Sequence, residues 1–407
     1  MSSFLPDIAP LRRSNDFRLL YFGQLISGFG SSLTYVVLPV QMYQLTQSSV
    51  MVGMLGVAEF VPMLLMAFLG GVLADRFNRR KLLIVAESLM AVTIAGLTAN
   101  ALLPQPHVAI LFAAASLLAA LNSIHRPAIE AMTPQLVLPE EMTAVSALNS
   151  IRWNMAHIAG PGIAGWIAVT YGAAVAFGID VATYLFAMAA LLAMGRKEFH
   201  GGEEGAISWH TLSEGWRYAL QRKDLLGTYL IDINAMFFGM PNALFPAFGA
   251  VFGAQYTGWL YAAGPVGGLL LSLTSGWTSR VRRHGLAIAW SAGLWGAAIA
   301  GFGLSSKLWL ALLFLVLAGA ADMVSGVFRM TVWNQTIPSR LRGRTAAIEM
   351  VSYLSGPYLG NAEAGFAARL MGLGPSVVAG GLLCVLGSVV ITMALPEFRK
   401  YKSDQPL

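Results

Sequence analysis

Long apolar runs fill the chain, and short polar or charged stretches separate them. A transmembrane helix needs about 20 apolar residues, and about twelve runs come near or above that length. None alternates apolar and polar positions as a barrel strand does, so helices are the predicted spanning elements. The predicted spans are 17–45, 50–73, 82–103, 108–132, 142–170, 173–194, 225–252, 257–277, 286–304, 308–336, 345–370 and 375–395.

The composition agrees with this pattern. Of the 407 residues, 56% are hydrophobic and 11% are charged, whereas a soluble domain has about 25% charged residues. Lipid must therefore cover most of the surface. Cys384 is the single cysteine, which excludes a disulfide framework within the chain and a cysteine-cluster metal site.

The cations are concentrated in alternate connections between the spans. Under the positive-inside rule this places both termini in the cytoplasm. The net charge of +6 is this topological signal, so we expect no nucleic-acid partner. The basic clusters fall within residues 12–18, 76–81, 196–223, 280–283, 340–344 and 399–402.

The longest polar break, residues 196–224, divides the spans into six and six. We interpret it as a cytoplasmic linker with a surface helix, between bundles 1–195 and 225–407. The two halves show an internal sequence repeat: Arg126 corresponds to Arg329, and Gly160-Pro161 corresponds to Gly356-Pro357. Such an internal repeat predicts two pseudo-symmetric six-helix bundles and alternating access to a site near mid-membrane.

The loop after the second span, GGVLADRFNRRK at 70–81, resembles the signature of the major facilitator superfamily. Asn78 replaces its second glycine, and Asn tolerates the left-handed conformation that a glycine suggests. The alternative is a basic loop that only obeys topology. The residues that match the signature are Gly71, Asp75, Arg76, Arg79 and Arg80.

This resemblance implies a conformational latch. Asp75 would face the start of the eleventh helix, where a carboxylate suits the positive end of the dipole. Arg79 would pair with an acid at the cytoplasmic end of the fourth helix, for which Glu130 is the candidate.

The fifth span contains NMAHIAGPGIAGWI, similar to the Gly-Pro motif of exporters and proton antiporters in the same superfamily. Gly160, Pro161 and Gly165 match the motif, and Ala164 replaces a glycine. The pieces LPVQMYQLTQSSVMVG, GGVLADR and NALLPQP further resemble the group of siderophore exporters and macrolide-efflux proteins. The resemblance implies export, with an uptake symporter of the same fold as the alternative.

Ionisable residues inside a membrane are costly, and they indicate function by default. Glu59 lies near the middle of the second span, where an apolar setting favours its protonated form and allows proton exchange near neutral pH. Asp180 lies two turns into the sixth span, so we expect it near the outer surface. Candidates for proton coupling or for the substrate cavity are Glu59, Arg126, Arg152, Asp232, Asp322 and Arg329; for each, a structural hydrogen bond or ion pair is the competing interpretation.

These features predict a proton-driven exporter of a small molecule such as a catecholate siderophore. A macrolide or multidrug efflux pump is the alternative. The chain contains no GxxxxGK[ST] or HExxH motif, so we expect neither an enzyme nor a nucleotide-driven pump. We expect no cofactor, a monomer, and only the substrate and the bilayer as partners.

Overall fold

The computed structural model describes residues 7–195, 217–338 and 342–402, and only the backbone of 67–76 and 342–354. Within these residues the regular structure is entirely helical, as predicted. We number the long helices by the predicted span to which each belongs. They are α1 Asn15–Thr46, α2 Ser49–Arg76, α3 Arg79–Ala101, α4 Val108–Met132, α5 Met142–Tyr171, α6 Ala173–Ala193, α7 Lys223–Phe238, α8 Thr257–Leu273, α9 His284–Gly303, α10 Leu308–Thr336, α11 Arg342–Met371 and α12 Leu373–Ala394.

Nine helical segments of the described residues are long and apolar enough to cross a membrane. The sixth of them runs from Lys223 to Phe252 and includes α7 and the short helix Phe245–Phe252. Three long helices are not among the nine. α8 has 17 residues, α5 carries Arg152 and His157 within its length, and part of α11 lacks described side chains.

The seventh span is broken, whereas the sequence predicted one run over 225–252. α7 ends at Phe238, and a second helix starts at Phe245. Pro241 lies in the break, and a proline supplies no backbone N–H for a helical hydrogen bond. The backbone N–H of Ala243 instead donates to Oδ1 of Asn361 on α11 at 3.0 Å.

The described chain divides into two compact units. The first unit comprises Met1–Thr46, Ala58–Ala206 and Ala254–Gly258; the second comprises Gln47–Val57, Ile207–Gly253 and Trp259–Leu407. Most of the predicted linker, residues 196–216, lies outside the described residues.

The same helix pairs pack in both units. In the first unit α1 contacts α5 and α6, and α3 contacts α4 and α6; in the second unit α7 contacts α11 and α12, and α9 contacts α10 and α12. Each pair recurs six helices later, which is the packing expected of a duplicated bundle. The first core is built around Phe17, Leu83 and Met132, and the second around Leu225, Phe328 and Phe398.

Candidate functional site

Arg329 in the second unit lies between two carboxylates. Its side chain on α10 is 12% exposed, and Nη1 contacts Oδ1 of Asp232 on α7, whose side chain is 1% exposed. Nη2 lies 3.8 Å from Oδ1 of Asp322, and the Asp322 side chain is 41% exposed. The structure therefore brings three predicted residues together as one group, which we call the acidic triad.

The acidic triad contains one cation and two carboxylates. Asp232 is compensated by the guanidinium, because an unpaired charge buried at that depth is strongly unfavourable. Asp322 is the more accessible of the two acids. With both acids ionised the triad carries a charge of −1, which a proton or a cationic ligand group can neutralise.

Asn234 lies close to Asp232 in sequence but faces another helix. Its Nδ2 donates to the backbone carbonyl of Cys384 on α12 at 2.9 Å. A Cβ at Gly387 would overlap the Asn234 side chain, so α7 and α12 pack closely at this level. Asn234 thus connects two helices of the second unit.

Arg126 in the first unit occupies the position that corresponds to Arg329, but its surroundings differ. Its Nε donates to Oε1 of Glu130 one turn further along α4 at 3.0 Å, and the two side chains are 69% and 65% exposed. Arg152 on α5 is half-buried and lies within electrostatic range of Glu130 and Tyr21. We call Arg126, Arg152 and Glu130 the basic cluster, because two cations accompany one carboxylate.

Glu59 lies on α2, three residues before Pro62. The proline cannot donate to the carbonyl of Ala58, and Ser116 Oγ from α4 donates to that carbonyl instead at 2.8 Å. The Glu59 side chain is half-buried. Within the described residues, no hydrogen bond or ion pair involves its carboxyl group. Its role in coupling remains a prediction.

The second arginine of the loop signature, Arg80, holds the end of α6. Its guanidinium donates to the carbonyls of Leu191, Leu192 and Gly195. Cations suit this position, because the last carbonyls of a helix have no partners within it and form the negative end of its dipole.

Arg79 reaches the C-terminal end of α4, where its Nη1 donates to the carbonyl of Ala131 at 2.8 Å. The predicted pairing of Arg79 with Glu130 therefore stays a prediction, since the observed contact is with the neighbouring carbonyl. Gly71, Asp75 and Arg76 lie at the C-terminal end of α2, and their side chains are outside the described residues.

Asn78 was expected to replace a glycine because Asn tolerates a left-handed backbone, and that reason was wrong. Its backbone has a φ of −58°, which is not left-handed, and its side chain accepts a hydrogen bond from the backbone N–H of Lys81 at 3.2 Å. Asn is a preferred N-cap residue because its side-chain oxygen binds an otherwise unpaired N–H of the first turn. Asn78 therefore begins α3.

The fifth-span motif lies at two close helix contacts. A Cβ at Gly160 would lie 2.5 Å from Cβ of Ser32 on α1. A Cβ at Gly165 would lie 2.8 Å from the backbone nitrogen of Gly258 at the start of α8, and a Cβ at Gly258 would overlap the Pro161 carbonyl. Small residues permit this backbone approach within the first unit.

The sequence did not single out Glu87. This residue of α3 is fully buried, and it contacts Gln24 of α1 and His125 of α4. The rule that selected Glu59 applies to it equally, because Glu87 lies inside the third predicted span.

Asp180 was expected near the outer face of the membrane, and its depth in the membrane stays a prediction. Its side chain is 0% exposed and accepts hydrogen bonds from the hydroxyls of Thr34 and Thr183. Two turns of helix are enough to bury it, because α1 packs directly against this part of α6.

The all-helical fold, the repeated packing and the buried charges define a membrane transporter of the major facilitator type. A family model described as a transmembrane secretion effector matches residues 6–406. The chain belongs to that family of the major facilitator superfamily.

Among its relatives are enterobactin exporters, named EntS, of Shigella boydii serotype 18 and Escherichia coli O81. Each is 27% identical over 410 residues, which cover 99% of this chain and 97% of the relative.

The fold is similar to solved transporter structures. The nucleoside transporter NupG has a TM-score of 0.74 at 14% identity, covering 95% of this chain and 100% of NupG. A POT family transporter in complex with 5-aminolevulinic acid has a TM-score of 0.75 at 12% identity, covering 95% and 97% of the two chains. At these identities the likeness shows the fold alone, and it confirms the predicted fold class.

Proposed function

We propose that this transporter exports a small anionic molecule, such as a catecholate siderophore, and is driven by the proton gradient across the bacterial inner membrane. The acidic triad carries the proposal. A partly exposed carboxylate next to a buried Arg–Asp pair is an exchangeable proton site at a depth where an unneutralised charge is costly. The transporter needs no cofactor in this proposal, since the gradient supplies the energy, and it acts as a monomer with both termini in the cytoplasm.

The basic cluster supports an anionic substrate. It holds an excess of one positive charge in the first unit, and guanidinium groups bind oxyanions well because of their fixed fork of donors. The relatives named as enterobactin exporters point to the same class of cargo. Proton and substrate would thus bind different groups, and alternating access would link them.

A second candidate, efflux of a cationic drug such as a macrolide, is favoured by the surplus carboxylate of the acidic triad. There the substrate amine would compete with the proton for Asp322. The two candidates differ in which charged group the substrate needs.

Proteoliposomes loaded with either enterobactin or a macrolide, with an imposed pH gradient, test both candidates. We expect gradient-driven enterobactin transport that a protonophore abolishes. Asp322→Asn should retain only downhill transport, and Arg126→Gln should raise the KM for enterobactin about tenfold, the usual effect of losing about 1.4 kcal/mol of binding. Lys307→Gln, in an exposed connection, is the control.

The results separate the alternatives. Transport that persists unchanged after the gradient is collapsed refutes proton coupling. Macrolide transport with no enterobactin transport, together with loss of macrolide binding in Asp322→Asn, selects the second candidate.

A further inference from the structure

Glu87 is placed deep in the first unit by the packing of three helices. It lies eight residues after the start of α3, about 12 Å along the helix axis at 1.5 Å per residue. Its side chain is 0% exposed. Oε1 accepts a hydrogen bond from Nε2 of Gln24 on α1 at 2.6 Å and lies 3.1 Å from Nε2 of His125 on α4.

The other carboxyl oxygen, Oε2, is buried and has no hydrogen-bond partner in the described part of the chain. An ionised carboxylate accepts several hydrogen bonds, and a buried charged oxygen without a partner costs more than a neutral one. A proton on Oε2 or on the imidazole of His125 removes the net negative charge. Glu87 and His125 therefore form a pair that is electrically neutral when it holds one exchangeable proton.

The groups around the pair are mostly uncharged. From α1 come Gln24 and Ser31, and the Ser31 hydroxyl lies 2.8 Å from the Tyr184 hydroxyl on α6. Tyr184 is the titratable group of α6 that lies within electrostatic range of Glu87, and Asp180 lies one turn before it. On α4, the next residue after His125 is Arg126, whose guanidinium contacts Glu130.

Asp180 provides the contrast within the same unit. It is buried to the same extent, yet hydroxyl groups from Thr34 and Thr183 donate to both of its oxygens. Its carboxylate is thus solvated by the protein, as a structural acid should be. Glu87 has two hydrogen-bond partners on one oxygen and none on the other, so its carboxylate is less completely solvated than that of Asp180.

We propose that Glu87 and His125 form a proton-binding site inside the first unit, separate from the acidic triad of the second. One proton adds to the pair from one side of the membrane and the same proton leaves it on the other. A role of this site in transport rests on the proposed proton-driven function. Proton binding itself is measurable without substrate or gradient.

The test is infrared difference spectroscopy of the purified full-length protein in nanodiscs, titrated with acid and base. A protonated carboxylic acid has a carbonyl band that the carboxylate lacks. We expect such a band in the native protein, its loss in Glu87→Gln, and its retention in Asp180→Asn. His125→Gln keeps an amide donor and removes the imidazole. It should change the proton affinity of the acid that gives the band at least tenfold.

A titration that is identical in the native protein and Glu87→Gln overturns the proposal, as does a band that Asp180→Asn removes instead. If Glu87→Gln does not fold, the shift in His125→Gln decides, and an unshifted titration there also overturns it. Gradient-independent transport with an intact Glu87 band would refute the proposed function and leave this site standing.

Discussion

Replacing Arg329 with methionine would leave Asp232 buried without its cation. The Asp232 side chain is 1% exposed and contacts the Arg329 guanidinium directly. Methionine retains a comparable unbranched apolar chain, so the main change is the loss of charge and hydrogen bonding. Removing one partner of a buried ion pair costs about 3–5 kcal/mol, because the remaining charge is uncompensated.

A second substitution tests that cause. Arg329→Met combined with Asp232→Leu removes both charges, and replacing a buried ion pair with hydrophobic residues of similar volume is often neutral or stabilising. We therefore expect the double variant to recover most of the loss. The stability loss of the single variant should also shrink as the pH falls, because a proton can neutralise the Asp232 carboxylate.

The repeat within the chain supplies a matched control. Arg126→Met breaks an ion pair at the corresponding position of the first unit, but there both side chains are more than half exposed. Exposed pairs contribute about 0.2–1 kcal/mol. Thermal unfolding of the purified variants in one detergent can be followed by tryptophan fluorescence. The melting temperature of Arg329→Met should lie well below that of Arg126→Met. Equal losses, or a double variant no more stable than Arg329→Met, would refute the reasoning.

Three further outcomes are expected. Gly258→Ala should lower the melting temperature and slow transport, because its Cβ would overlap the Pro161 carbonyl, whereas Gly162→Ala, with open space at Cβ, should gain up to about 1 kcal/mol of helix propensity; equal effects in a thermal-shift assay would contradict the packing argument. Glu59→Gln should abolish gradient-driven accumulation in proteoliposomes while downhill flux persists, and unchanged accumulation would remove Glu59 from coupling. Cys384 is fully buried, so a maleimide dye should label it only as the second unit unfolds, and rapid labelling of the folded protein would show that α12 is accessible there.

The helices were predictable because the bilayer imposes a simple rule on the sequence. Every backbone polar group in the apolar layer must be paired within its own segment, so a long apolar run leaves the helix as the predicted structure. The break in the seventh span was not predictable on that basis. Transmembrane helices tolerate internal prolines when neighbours satisfy the freed groups, and α2 keeps Pro62 within one helix. Pro241 lies in a break that begins at the C-cap Gly239, so the presence of a proline alone does not predict where a span is broken.

The residues of the acidic triad could be selected one by one from the sequence, but their contacts could not. The rule that membrane-embedded charges are functional selected Arg329, Asp232 and Asp322. It could not pair Arg329 with Asp232, because 97 residues separate them and the helical repeat relates Arg329 only to Asp322 on its own helix. The contacts of Glu87 could not be predicted either, since its partners lie on two other helices.

The two copies of the duplicated scaffold share their helix packing but differ in their charges. Arg126 and Arg329 occupy corresponding positions, yet one accompanies a second arginine and a single carboxylate, and the other lies between two carboxylates. Packing constraints act equally on both copies of a repeat, so the helix pairs are preserved. No such constraint fixes the sign of a local charge, and under the proposed function the basic cluster would bind the anion while the acidic triad exchanges a proton. Two ligands that do not compete for the same group can be coupled only through the conformation of the protein, which is what alternating access supplies.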